Sequence, residues 1–247
     1  MSLATRVLRL ANSGYYAIPG GATSIERAVT VLGIDNVAQL VYTAAVFSHY
    51  DLASREPFSI REFWKHSLGV AMASETIARE LGLKDPSLIF LSGLIHDIGK
   101  LVHFQLAKEE FMGICEYAKT ERITVLESET ALGPPGHDAL GYELVRQWRM
   151  PLMIKEAVLH HHDITALTAT TSTLAYPQHV GVVHLANLIV HSLKFGSSGH
   201  EIVRNPSVEV VKRVLGNDRV LVHLIKSVKR TLEKVEPVLG AMLPAET

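Results

Sequence analysis

Apolar positions in this chain recur at spacings of three and four nearly from end to end. Leu68, Met72 and Ile77 follow this rhythm, as do Leu88, Leu91, Leu94 and Ile95. The period gathers side chains on one face of an α-helix, whereas a half-buried strand would alternate. No stretch alternates convincingly. Thr23-Ser24-Ile25-Glu26 and Ser59-Ile60-Arg61-Glu62 read as capping boxes, a hydroxyl followed three residues later by a glutamate that reaches back. Asp85-Pro86 places a capping residue before a proline at the first helical position, where its missing N–H costs nothing. Gly33, Gly82 and Gly99 stand where helices should close. The pattern predicts helices over 3–12, 24–32, 36–49, 60–81, 86–98, 107–121, 125–132, 137–148, 151–162, 179–194, 206–215 and 217–238, and so an all-α fold.

Three breaks organise these helices. Gly133-Pro134-Pro135-Gly136 is a stiff interruption. Residues 163–178 form a longer, Thr-rich loop, a length associated with function or mobility. Gly196-Ser197-Ser198-Gly199 reads as a flexible link to a C-terminal helical tail. Composition then narrows the class. With 47% hydrophobic residues over 247 positions the chain can bury a core, which excludes disorder as its overall state. Lys and Arg number 24 against 25 Asp and Glu, so net charge gives no reason to bind nucleic acid or an anionic membrane. The basic residues Lys212, Arg213, Arg219, Lys226, Lys229 and Arg230 are interleaved with acids and read as a solvated face. No apolar run reaches the ~18 residues of a spanning helix, and residues 1–20 carry no signal-like stretch. Cys115, the single cysteine, cannot form an internal disulfide and is expected to be a buried, inert thiol. A cytoplasmic location, with no nucleic-acid or membrane partner, is the expectation.

Histidine changes the picture, because there are 13 and many cluster. His66 lies early in the 60–81 helix, His96-Asp97 near the end of the next, and His137 directly after the Gly-Pro-Pro-Gly break. His160, His161 and His162 close a further helix. Each stands at a helix end or beside a break, where turns can aim side chains into a shared cavity. Imidazole with carboxylate suits Zn, Fe, Ni or Mn, whereas Mg or Ca would call for oxygen ligands. A carboxylate beside a histidine can bridge two ions, and such a pair polarises phosphoryl oxygens and activates water. Singly, each residue has a blander reading: His66 as a satisfied core or surface residue, the His160–His162 run as a solvated helix end favoured by the helix dipole. It is the joint pattern that points to metal.

Those same residues carry a family resemblance. His66 with His96-Asp97 is similar to the opening of the HD superfamily of metal-dependent phosphohydrolases. The stretch from Leu3 to Ser13, Trp64-Lys65-His66-Ser67, the run from Leu94 to Leu101, Gly136-His137 through Gly141, Trp148 with Pro151, and His161-His162 more closely resemble the HDOD family, the HD-related output domains. The resemblance covers roughly residues 3–195. It implies a bacterial, HD-like helical bundle with additional helices at both ends, used in signalling and often stripped of its hydrolase ligands. Carried over by motif, His66, His96, Asp97, His137, His161 and His162 fall where related HD-GYP phosphodiesterases place metal ligands. On this reading His66 and His96 share one ion, His137 with His161 or His162 takes a second, and Asp97 bridges. Lys100 falls where those enzymes have a lysine near the bound phosphate. The superfamily's last ligand, an Asp, is matched here by Asn187, which can ligate through its carbonyl oxygen with less charge. The Gly-Tyr-Pro signature is absent, with Ala175-Tyr176-Pro177 a faint echo.

The resemblance implies a divalent transition metal, iron foremost, with zinc, nickel or manganese as alternatives, as one or two ions. It also implies a truncated N-terminal lobe over 1–58, a metal-binding bundle over 59–195 and a helical tail over 196–247. Two functions follow. One is a regulatory output module that binds a nucleotide, phosphoester or signalling protein without turnover. The other is a phosphohydrolase acting on a nucleotide or cyclic di-nucleotide, with Asp97 and Lys100 as its catalytic residues. The loss of charge at Asn187 favours the first.

Overall fold

The computed structural model describes residues 4, 7, 8, 11, 12, 16, 18–34, 36, 37, 56–169, 173–217 and 219–242. Among these, twelve helices and no strands occur: α1 (Ile25–Leu32), α2 (Ile60–Glu80), α3 (Pro86–Ile95), α4 (Ile98–Leu106), α5 (Lys108–Glu121), α6 (Val125–Leu132), α7 (His137–Gln147), α8 (Leu152–His160), α9 (Ile164–Thr168), α10 (Pro177–Ser192), α11 (Val208–Leu215) and α12 (Arg219–Met242). The segments expected over 3–12 and 36–49 lie largely outside the described residues.

The caps refine several expectations. Ser24, rather than Thr23, caps α1 by accepting from Arg27 N, and Ser59 caps α2 by accepting from Glu62 N. Asp85 holds the cap position of α3, but in a left-handed conformation and without a side-chain bond. The reciprocal capping box belongs to Thr124 and Glu127 at the start of α6. Gly99 closes nothing. It lies inside α4, over residues the sequence pattern left between the helices predicted at 86–98 and 107–121. The reason is packing: a Cβ on Gly99 would sit 2.6 Å from Gly141 N, so its bare Cα lets α4 lie directly against α7. A short helix, α9, also occupies part of the stretch expected as loop.

α2 is the central element, packed by α3, α10 and α12. Its residues Leu68, Val70, Ala71, Ala73 and Ile77 are buried among Ile89, Leu94, Val183 and Val190. Val210, Val214, Leu224 and Val228 from α11 and α12 belong to this same core. A separate cluster joins Val7, Ala11, Ile18, Ala22, Ala28 and Val37. Residues 86–106 are apolar enough to span a bilayer by length and composition, but they comprise α3 and α4, broken at His96-Asp97 and mostly buried inside the protein.

The expected flexible link over 196–199 is instead a packed strap. Gly196 takes a left-handed φ of 75°, and a Cβ there would lie 2.5 Å from Glu62 O. Ser197 N donates to Glu62 O at 3.1 Å. Ser198 and His200 are buried. Glycine is required because the chain runs against the backbone of α2 in a conformation that L side chains avoid.

Candidate metal centre

The break between α3 and α4 puts His96 and Asp97 at the meeting point of α2, α7, α8 and α10. Two groups of ligand atoms gather there. One comprises Asp97, His137, His161 and His162, the other His66, His96 and Asp97, and within each group the ligand atoms lie within 4.8 Å of one another. Asp97 belongs to both. His66, His96, Asp97, His137 and His161 are buried, and His162 is partly so.

The outer nitrogens of these rings are engaged with protein. His96 Nδ1 lies 2.8 Å from Gly93 O, and His161 Nδ1 lies 2.9 Å from Val158 O. A carbonyl can only accept, so each Nδ1 carries the proton and each Nε2 presents a lone pair. His137 Nδ1 lies 2.7 Å from Glu129 Oε2, which also accepts from His137 N at 3.0 Å. One carboxylate thus fixes both the ring and the first turn of α7.

Inward, His137 Nε2 meets His162 Nε2 at 3.2 Å, but the other two rings lack partners. His96 Nε2, His161 Nε2 and Asp97 Oδ1 are buried and make no hydrogen bond of acceptable geometry, although His137 Nε2 and His161 Nε2 stand 3.2 and 3.4 Å from Asp97 Oδ1. Unpartnered buried polar atoms are expensive. Several of them converging on common points, with outer hydrogen bonds aligning the rings, is the arrangement that metal-ligating histidines adopt. The donor set fits a divalent transition metal.

Electrostatics supports this fit. Burial alone would raise the Asp97 carboxyl, but the neighbouring His96, Lys100, His137 and His161 hold it well below the usual carboxylate range. Burial pushes His161 down to about 4, which leaves that ring neutral and able to ligate. His137 goes the other way: burial would lower it, yet the Glu129 carboxylate outweighs that and raises it to about 9. An ion at its Nε2 would displace a proton.

The remaining predicted residues fall as follows. Asn187 lies beside the first group, with its Oδ1 accepting from His66 Nε2 at 3.0 Å. Lys100 is fully buried, donating to Asp97 Oδ2 at 2.7 Å and to Ser198 Oγ at 3.2 Å. It therefore braces the carboxylate directly. His160 faces Asp163 at 3.5 Å and His103 faces Glu110 at 3.6 Å, both outside the two groups.

Four contributors lie outside the predicted ligand set. Glu129 could have been suspected, since it shares the buried face of α6 with Val125 and Ser128. Ser198 and His200 carry no such signal, because a Gly-Ser-rich stretch reads as a linker. His191 stacks between His66 and His200 at ring separations of 4.4 and 4.6 Å, and burial with the Lys100 charge pushes it down to about 4. A cleft of about 340 Å³ runs past His162, Asn187 and His191 to Arg204.

Comparison with known proteins identifies the family and the fold. The HDOD domain family matches residues 1–164. The structure is similar to an HDOD domain protein of unknown function from Geobacter sulfurreducens, with 28% identity, a TM-score of 0.80, and coverage of 96% of this chain and 82% of that one. A candidate phosphohydrolase from Shewanella amazonensis shares the fold at 21% identity and a TM-score of 0.71, covering 98% of this chain and 82% of that one. A candidate signal transduction protein from Marinobacter aquaeolei shares it at 20% identity and a TM-score of 0.76, covering 97% of this chain and 52% of that one. The curated relatives are longer, and the match spans only 32% of the first. Well over half of the chain matches the family, in a fold shared over most of its length with an HDOD domain protein, and the chain belongs to the HDOD domain family.

Proposed function

We propose that this chain is a cytoplasmic regulatory output module whose partly preserved His/Asp centre holds a divalent transition metal, iron foremost. The observation that carries this reading is the convergence of unpartnered buried atoms, His96 Nε2, His161 Nε2 and Asp97 Oδ1, whose rings are aligned from behind. His66, His96 and Asp97 would hold one ion, and His137, His161 or His162 with Asp97 a second. When bound, the ion supplies Lewis acidity. Glu129 orients His137, Lys100 holds Asp97 in place, and Asn187 offers an amide oxygen where a carboxylate would add charge. That missing charge weakens the first position and favours binding and signalling over turnover.

A second reading, a phosphohydrolase for a nucleotide or cyclic di-nucleotide, is favoured by the cleft that reaches His162 and Asn187. The two readings divide on one experiment. Protein purified without a metal-affinity step is assayed for metal and for hydrolysis of phosphodiesters, alongside Asp97→Asn. The regulatory reading expects near-stoichiometric metal that Asp97→Asn loses, with negligible turnover. Less than about a tenth of an ion per chain after reconstitution with Fe or Mn would overturn the metal centre. Metal-dependent turnover at ~1 s⁻¹ or faster would establish the enzyme instead.

A further inference from the structure

Two clefts border the strap that follows α10. One, of about 460 Å³, lies between the strap, the start of α2 and the end of α5; the other, of about 340 Å³, passes His162 and Asn187. His200 lines both. A small set of contacts fixes the strap between them. Ser197 N donates to Glu62 O, His200 stacks on His191, and Arg204 Nη2 contacts the two Glu127 oxygens at 2.7 and 2.9 Å. The remaining contact is made by Ser198, which is fully buried and reaches the His/Asp centre.

From Ser198 a directed chain of hydrogen bonds runs inward. Lys100 Nζ donates to Asp97 Oδ2 at 2.7 Å and to Ser198 Oγ at 3.2 Å. An ammonium can only donate, so Ser198 Oγ accepts, and its own hydrogen is left for His191 Nε2, 3.3 Å away. His191 is neutral, because burial and the Lys100 charge push it down to about 4, and its Nε2 can therefore accept. Lys100 is itself fully buried, and among the described residues its ammonium has these two acceptors. Asp97 belongs to both groups of candidate ligand atoms, with Oδ2 also 3.3 Å from His96 Nε2. The carboxylate charge that Lys100 uses is thus the charge a metal ion there would draw on. With that charge shared, the ammonium depends more heavily on Ser198.

We propose that Ser198 is a positioning residue for Lys100, and that through this bond the strap and the metal centre stabilise one another. Ser198 holds the ammonium in place while Asp97 gives its charge to the metal, so an occupied centre pins the strap. Linkage makes the effect mutual: the factor that Ser198 adds to metal affinity returns as resistance of the strap to opening. The strap joins α10 to α11 and α12, whose Val210, Val214, Leu224 and Val228 belong to the main core. A pinned strap is therefore felt by the C-terminal helices. This coupling rests on the metal-centre reading and names the element that reports occupancy.

The test is hydrogen exchange followed by mass spectrometry on the full chain, metal-stripped and Mn²⁺-loaded, with Mn²⁺ affinity measured by chelator competition on the same samples. The Ser197 amide, bonded to Glu62 O, reports strap opening. Mn²⁺ should slow exchange over 196–202 about tenfold in wild type, an ordinary size for coupling between sites. Ser198→Ala should lose that slowing and bind Mn²⁺ about tenfold more weakly. In a Lys100→Met background, adding Ser198→Ala should change Mn²⁺ affinity by less than about twofold, because the bond is already gone. An equal loss in both backgrounds would make Ser198 a packing residue and overturn the proposal. Slowing that persists in Ser198→Ala would mark general stabilisation by the metal and overturn it as well. Mn²⁺ bound to wild type with strap exchange unchanged would remove the coupling and leave the metal centre standing. A wild-type chain that takes up no Mn²⁺ would remove the centre and the coupling together. The wild-type comparison decides the matter even if Lys100→Met fails to fold.

Discussion

Replacing Gly99 by alanine tests how the fold sets the site. The added Cβ would overlap the carbonyl oxygen of His137 and stand 2.6 Å from Gly141 N and 2.7 Å from His137 C. All three are backbone atoms, so no side chain can rotate away. Restoring ordinary contact requires α4 and α7 to part by about 1.5 Å in an interior packed as densely as a crystal. Overpacking costs roughly 1–3 kcal/mol, and a clash against backbone belongs at the upper end, about 3 kcal/mol. For a chain of this size that corresponds to a fall in Tm of ~6–12 °C. The two helices also carry Asp97 and His137, whose ligand atoms stand 3.2 Å apart. Metal–ligand distances tolerate about ±0.2 Å, so the same displacement should lower metal affinity in parallel. Gly113 is the control, since it lies in α5 with nothing within 4 Å of an added Cβ. Gly113→Ala should stabilise by about 0.5–1 kcal/mol through helix propensity and leave metal binding unchanged. Thermal unfolding followed by circular dichroism, with metal content measured on the same samples, reads both effects. A Gly99→Ala protein melting within ~2 °C of wild type would refute the reasoning.

Glu129→Gln should reduce metal affinity by about 10–100-fold in chelator competition, because His137 loses the carboxylate that fixes its tautomer and raises its basicity. Asn187→Asp should raise metal affinity in the same assay, since it adds a negative charge beside His66; unchanged affinity would place Asn187 outside the ligand set. Cys115 has its thiol pushed up to about 12 by burial, from an ordinary 9.0. At pH 8.5 its thiolate fraction is therefore ~1000-fold below that of a free cysteine, and alkylation should stay correspondingly slow as pH rises until the protein unfolds. Rapid labelling of folded protein at that pH would contradict the burial.

What the chain determined by itself was the helical rhythm and the identity of the candidate ligand side chains. Apolar spacing is a local property, and most helices fall within a few residues of where their periodicity puts them. His96, Asp97, His137, His161 and His162 stood out because each sits at or beside a helix end, which is visible one segment at a time, and His66, inside α2, joined them through the family motif. What required the tertiary structure was everything set by approach between distant segments. Gly99 reads as a helix stop in sequence, yet it lies inside α4, because only contact with His137 and Gly141 explains its missing side chain. The 196–199 stretch reads as a linker, yet it is wedged against α2, since glycine tolerates both its φ and its closeness to Glu62. Lys100 sits near a conspicuous motif, but its partner Ser198 is 98 residues away. Glu129 and Arg204 gained meaning only when α6 was placed beside α7 and beside the segment after the strap. Periodicity records which face a side chain occupies; it holds no information about which other segment that face will meet.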